Sequence, residues 1–150
     1  MVEDGSLRLH DALALTARGL LAQLDADACA ISRVIGDVLI FVTQAAKPGQ
    51  TIQVGQGFLV PDFPETQAML ADGRPRLITV ADADADAKET QLLREFGFSE
   101  LLMLRLDLGG EPWGLVEIYR QEARPFVEAD ARLARQLLAQ IRLVPDDDAA

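Results

Sequence analysis

The sequence predicts an α+β fold, an antiparallel sheet with helices available to both of its faces, and three observations predict it. The stretch from Ser99 to Arg120 reads as two strands around Gly109-Gly110, with Leu102, Leu104, Leu106 and Leu108 on one face and Leu101 and Met103 starting the other. Strand-like segments come in hairpins, which pair antiparallel, instead of alternating with long crossover helices. Long apolar-periodic segments stand near each end of the chain and supply helices to cover one face. A strand apolar on both sides is covered on both sides, so the Ser99–Arg120 hairpin is expected in the middle of the sheet.

Each element follows from local pattern. From Ser6, Leu9, Leu13, Leu20 and Leu24 recur at helical spacing, with Ser6 as a candidate N-cap. Gly19 is unfavourable inside that helix by about 1 kcal/mol relative to Ala. Ala28–Ile35 and Val38–Ala45 form a hairpin around Gly36-Asp37, residue types that accept the positive φ of a two-residue turn. Residues 47–57 are polar and glycine-containing, a loop with a short strand at Thr51–Val54. Pro64–Leu70 reads as a short helix stopped by Gly73. Arg74–Val80 is a strand, with Pro75 near its start pointing to an edge. Ala81–Ala87 is an acidic loop, and Lys88–Phe96 is a second short helix closed by Gly97. After the central hairpin, Glu128–Leu143 is a helix with Ala131, Leu133, Ala134, Leu137, Leu138 and Ile141 on one stripe. Residues 144–150 read as a disordered acidic tail. With no repeat and no linker, residues 1–150 are expected to form a single domain with its core over about 20–141. The sheet then has five or six strands, with terminal helices on one face and the short helices and loops of 47–98 on the other.

Composition narrows the role. A net charge of −10 leaves no basic stripe for nucleic acid and no attraction to an anionic membrane surface. No apolar run of about 18 residues is present, so no spanning helix is expected. The opening M-V-E-D-G-S lacks signal-peptide character, and Cys29 is the only cysteine; together these point to a reducing, cytoplasmic setting.

The ordered segments Met69–Val80 (M-L-A-D-G-R-P-R-L-I-T-V), Glu95–Leu106 (E-F-G-F-S-E-L-L-M-L-R-L), Glu111–Arg120 (E-P-W-G-L-V-E-I-Y-R) and Phe126–Ile141 resemble a GAF domain, the small-molecule sensing fold of many signalling proteins. Gly114 and Phe126 stand where that family has its glycine after the turn and its aromatic before the last helix. The resemblance covers about Leu20 to Ile141. It implies a ligand pocket between the sheet and residues 47–98, with candidate walls Phe41, Phe58, Phe63, Met69, Met103 and Trp113. Ser32, Arg33, Thr43 and Arg74 are its candidate polar anchors, and either arginine can pair an anionic ligand bidentately. It also implies that the terminal helices pair across a two-fold axis, for which Leu7, Leu15, Leu21, Leu137 and Leu138 are the surplus leucines.

The same resemblance excludes several ligands. The N-K-x-F-D-E signature of cyclic-nucleotide-binding members is absent. Cys29 begins the first strand and has no histidine beside it, so no covalent bilin is expected. One cysteine cannot form the intramolecular disulfide that methionine sulfoxide reduction requires. His10 lies on the first helix, away from the expected pocket, so no haem is expected.

Catalytic and metal-binding patterns are weak. Asp82, Asp84 and Asp86 imitate the start of a calcium loop, but its sixth and twelfth positions hold Ala87 and Leu93 instead of glycine and glutamate. Gly55 and Gly57 are followed by no phosphate-binding pattern. His10 has no nucleophile partner, and Asp25 and Asp27 read as the end of the first helix. The expectation is a non-catalytic sensory or regulatory domain of bacterial-type signal transduction, a cytoplasmic homodimer with an unidentified small-molecule ligand and a signalling protein as possible partner. The alternatives are a ligand-free dimerisation module, or a regulatory fragment of a histidine kinase or cyclic-dinucleotide enzyme.

Overall fold

The computed structural model describes the backbone of residues 2–50, 58–82 and 87–141, and the side chains of 8–50, 59–82 and 90–141. Among these residues, four helices, α1 (Val2–Gln23), α2 (Pro64–Asp72), α3 (Ala87–Phe96) and α4 (Glu128–Leu138), accompany six strands. These are β1 (Ala28–Ile35), β2 (Val38–Ala46), β3 (Phe58–Leu59), β4 (Arg76–Thr79), β5 (Glu100–Leu108) and β6 (Glu111–Arg120). They form one sheet in the order β3-β2-β1-β6-β5-β4, every neighbour antiparallel.

The hairpin expected at the middle is there. β6 lies between β1 and β5, and β5 carries Leu102, Leu104, Leu106 and Leu108 into one buried cluster and Leu101 and Met103 into another. The first cluster sits beneath the terminal helices, joining Leu13, Ala17 and Leu20 of α1 to Ala131, Ala134 and Leu138 of α4. The second lies on the opposite face, where Val60, Met69, Leu93 and Phe98 cover Ala28, Ala30, Leu115 and Tyr119. Pro75 does introduce an edge strand, since among the described residues β4 pairs only with β5.

Turn chemistry explains the connections. Gly109 and Gly110 both have positive φ, +61° and +81°, as a two-residue hairpin of mirror-image type requires. At Gly36-Asp37 only the glycine does, at +59°; one positive φ at the first turn position suffices there. Gly73 closes α2 at φ +73°, its N–H donating to the Met69 carbonyl at 2.8 Å.

Some boundaries move. α1 begins at Val2, ahead of the expected Ser6 cap, and α4 ends at Leu138, short of Leu143. The two-residue β3 and the single 3-10 turn Val60–Asp62 went unread because neither is long enough to show a period. The strand expected at Thr51–Val54 and the tail at 144–150 lie outside the described residues.

Candidate functional site

The face opposite the terminal helices is built from alternate residues of β1, β5 and β6, roofed by α2 and α3. Ser32 of β1 is buried on it and pairs with Leu115 of β6. Phe41 of β2 pairs with Ser32, shares its face and is 36% exposed. Met103 is fully buried, and its sulfur accepts a hydrogen bond from the Thr66 hydroxyl of α2 at 3.4 Å. Met69, one turn further along α2, is fully buried in the same cluster. The rings of Phe98 and Tyr119 stand 4.9 Å apart at a 34° tilt, closing the α3 end. Phe63 occupies the N-cap position of α2 and is half-buried. The side chain of Phe58 lies outside the described residues.

Four residues named from sequence lie elsewhere. Consecutive residues of a strand point to opposite faces, so Arg33 leaves Ser32 behind and sets its guanidinium 5.5 Å from the centre of the Trp113 ring. Thr43 is buried but pairs with Ile31, on the face of the terminal helices. A bulge is the cause: Ile31 pairs with Thr43 and Ser32 with Phe41, leaving Val42 as an extra residue and placing Phe41 and Thr43 on opposite faces. A second bulge moves Trp113. Leu106 pairs with Gly114 and Asp107 with Pro112, and the extra Trp113 packs against the cluster beneath α1 and α4 instead of sharing the face of Leu115. Arg74 is exposed at the turn after α2, where its backbone N–H donates to Asp72.

Sequence reading missed Thr66 and passed over Glu117. Thr66 lies three residues before Met69, on the same helical face, a spacing that was available as a signal. Glu117 pairs with both Ala30 and Met103, which puts a half-buried carboxylate on the α2 and α3 side. Cys29 belongs to the other side: it is completely buried in the cluster beneath the terminal helices, and burial pushes its thiol well above the ordinary range, so it stays protonated.

The surplus leucines divide similarly. Leu15 is 62% exposed, whereas Leu21 and Leu137 pack partly against the core. Leu138 is buried in the chain's own core at 6% exposure and offers no free surface; the α4 stripe is wide enough to consume it. The Leu7 side chain lies outside the described residues. Beside Leu15, α1 and α4 leave a groove of about 450 Å³, bordered by Ala12, Thr16, Gly19, Leu137 and Ile141.

A buried polar cluster joins the bases of both terminal helices. Arg120, at the end of β6, is 3% exposed and donates to the carbonyls of Leu24 (2.6 Å), Arg124 (2.9 Å), Pro125 (3.2 Å) and Asp25 (3.4 Å). Its guanidinium also lies 4.0 Å from the centre of the Phe126 ring. The neighbouring Glu100 is buried and accepts from the Thr79 hydroxyl at 3.1 Å; desolvation pushes its carboxyl above the usual range despite that bond and the nearby Arg120 charge. Among the described residues no group of three or more His, Cys, Asp or Glu is arranged to hold a metal ion, and no helix is long and apolar enough to cross a membrane.

The GAF domain model matches residues 8–144, and the chain belongs to that family. The phycoerythrobilin-bound GAF domain of a cyanobacterial phytochrome superposes with a TM-score of 0.78 at 19% identity, covering 91% of this chain and 84% of that one. The blue-light-absorbing PixJ GAF domain of Thermosynechococcus elongatus gives 0.76 at 16% identity, over 89% and 82%. A GAF domain/HD domain protein from Geobacter sulfurreducens gives 0.72 at 18% identity, over 89% and 88%. At these identities the likeness is one of fold. No curated protein sequence matches the chain.

Proposed function

We propose that this chain is a non-catalytic sensory module that binds a small molecule between the sheet and residues 47–98 and signals through terminal helices paired in a homodimer. The observation that carries this reading is the division of the sheet into two separately covered faces. One face has a roof of short elements, α2 and α3; the other carries both chain-terminal helices. β5 and β6 contribute side chains to both clusters, so a change of packing under α2 has a direct route to the helices behind. The mechanism is population shift: a ligand favours whichever helix arrangement binds it better.

Ser32, Phe41, Phe63, Met69 and Met103 remain the proposed ligand-side residues, joined by Thr66 and Glu117. Phe58 is retained from the sequence. Arg33, Thr43 and Trp113 belong to the helix side, and Arg74 serves as an anchor only for a ligand that reaches the α2–β4 turn. Leu15 and the groove beside it form the proposed dimer contact, flanked by Leu21, Leu137 and, from the sequence, Leu7. Several similar structures hold bilins, but Cys29 lies on the face away from Met103, so a thioether to a chromophore under α2 is closed to it. The proposed ligand is non-covalent, the setting a cytoplasmic signalling system.

A second reading has its own support. The cluster under α2 is tightly filled, with Met69 and Met103 fully buried and Leu101 at 2% exposure, as in a ligand-free dimerisation module. A thermal-shift screen with nucleotides, amino acids, organic acids and free biliverdin separates the two. The sensory reading expects a saturable rise in Tm with one class, weakened by Met103→Ala, which removes the side chain that Thr66 bonds. A flat response to every class favours the structural module.

A further inference from the structure

The last carbonyls of a helix have no intrahelical donor and form the negative end of its dipole, so they attract cations. Two arginines from different elements converge on the end of α2. Arg105 of β5 donates through Nη1 to the Leu70 carbonyl at 3.0 Å, and Asp107 holds the same guanidinium through bonds of 2.8 and 3.2 Å. Arg135 of α4 donates through Nη2 to the Gly73 carbonyl at 2.7 Å. α4 packs on one face of the sheet, whereas Met69 of α2 is buried on the other. The Arg135 bond therefore joins two elements that the sheet otherwise separates.

Gly73 is built for this junction. Its φ of +73° suits glycine, and a Cβ there would lie 2.7 Å from Nη2 of Arg105. A side chain at this position must push the Arg105 guanidinium aside and strains the turn that carries the Gly73 carbonyl.

We infer that Arg135 latches the C-terminal helix to the last turn of α2, so that the two move as one unit. A displacement of Thr66 or Met69 then reaches α4 around the sheet as well as through it. The use of this latch rests on the sensory reading; its existence does not.

Hydrogen exchange on the full chain without added ligand tests it. Arg135→Ala should speed exchange of the amides of Leu70–Gly73 about three- to fivefold, the loss of one solvent-exposed hydrogen bond. Arg132→Ala, which removes an exposed arginine from the same helix, should leave α2 unchanged. Because coupling is reciprocal, Gly73→Ala should speed exchange in α4. Unchanged α2 exchange in Arg135→Ala, or an equal effect from Arg132→Ala, overturns the latch whatever the chain binds. A chain that binds no small molecule overturns the sensory reading and leaves the exchange result standing.

Discussion

At the scale of single residues, the chain places its costliest polar groups at the junction of the terminal helices. Arg120 satisfies carbonyls from the end of α1 and from the loop that leads into α4. Arg120→Met strands these acceptors, and we expect it to cost about 3–5 kcal/mol, read as a lower denaturant midpoint at unchanged m-value. Glu100 works in the other direction. Its carboxyl is raised by burial, so the folded chain holds this proton more tightly than the unfolded one. Its contribution is therefore complete below the unfolded pKa and is lost as pH rises through the folded value. Glu100→Gln should raise Tm at neutral pH, with the gain shrinking as pH falls toward the ordinary carboxylate range near ~4.3. A gain that grows on acidification would contradict the assignment. This cluster was only partly legible in the sequence, because its members come from positions 24–25, 79, 100 and 120–126, and no local pattern links them. The rule that a central strand buries charge only when it is paired holds at Arg105 of β5, whose half-buried guanidinium is bonded to Asp107.

At the scale of elements, periodicity and turn chemistry made most of the fold readable. Hairpins, helices and the edge strand fell close to where leucine spacing, glycine and proline put them. The assignment of faces was less legible, because period two holds only while the register is unbroken. The bulges at Val42 and Trp113 each add one residue, which moves Thr43 and Trp113 to the helix side. Nothing in the sequence marks either bulge directly. Gly114 comes nearest, since a Cβ there would run into the Ser32 carbonyl oxygen, so β6 must pass β1 without a side chain. Gly114→Ala should accordingly destabilise the fold by about 1–3 kcal/mol, measured by thermal or chemical denaturation. Gly19→Ala supplies the contrast: a Cβ there meets nothing within 4 Å, and the substitution should stabilise α1 by up to about 1 kcal/mol.

At the scale of the whole molecule, the sheet has two separately covered faces. The side under α2 and α3 is the proposed point of entry for a ligand, and the side under α1 and α4 is the proposed point of exit for its signal. The exit needs a partner, and Leu15 is the most exposed of the described leucines. Leu15→Asp should convert a dimer to a monomer in light scattering while leaving Tm of the separated chain within a degree or two, because the side chain is mostly outside the chain's own core. The ligand was illegible in the sequence for a physical reason: specificity resides in a few polar groups brought together by folding, and the named anchors proved to lie on both faces of the sheet. Native mass spectrometry of the full chain as purified, at tens of micromolar, tests the central claim most directly. The account predicts a species near twice the 16.3 kDa chain mass carrying a bound small molecule. A single 16.3 kDa chain with no added mass would contradict it.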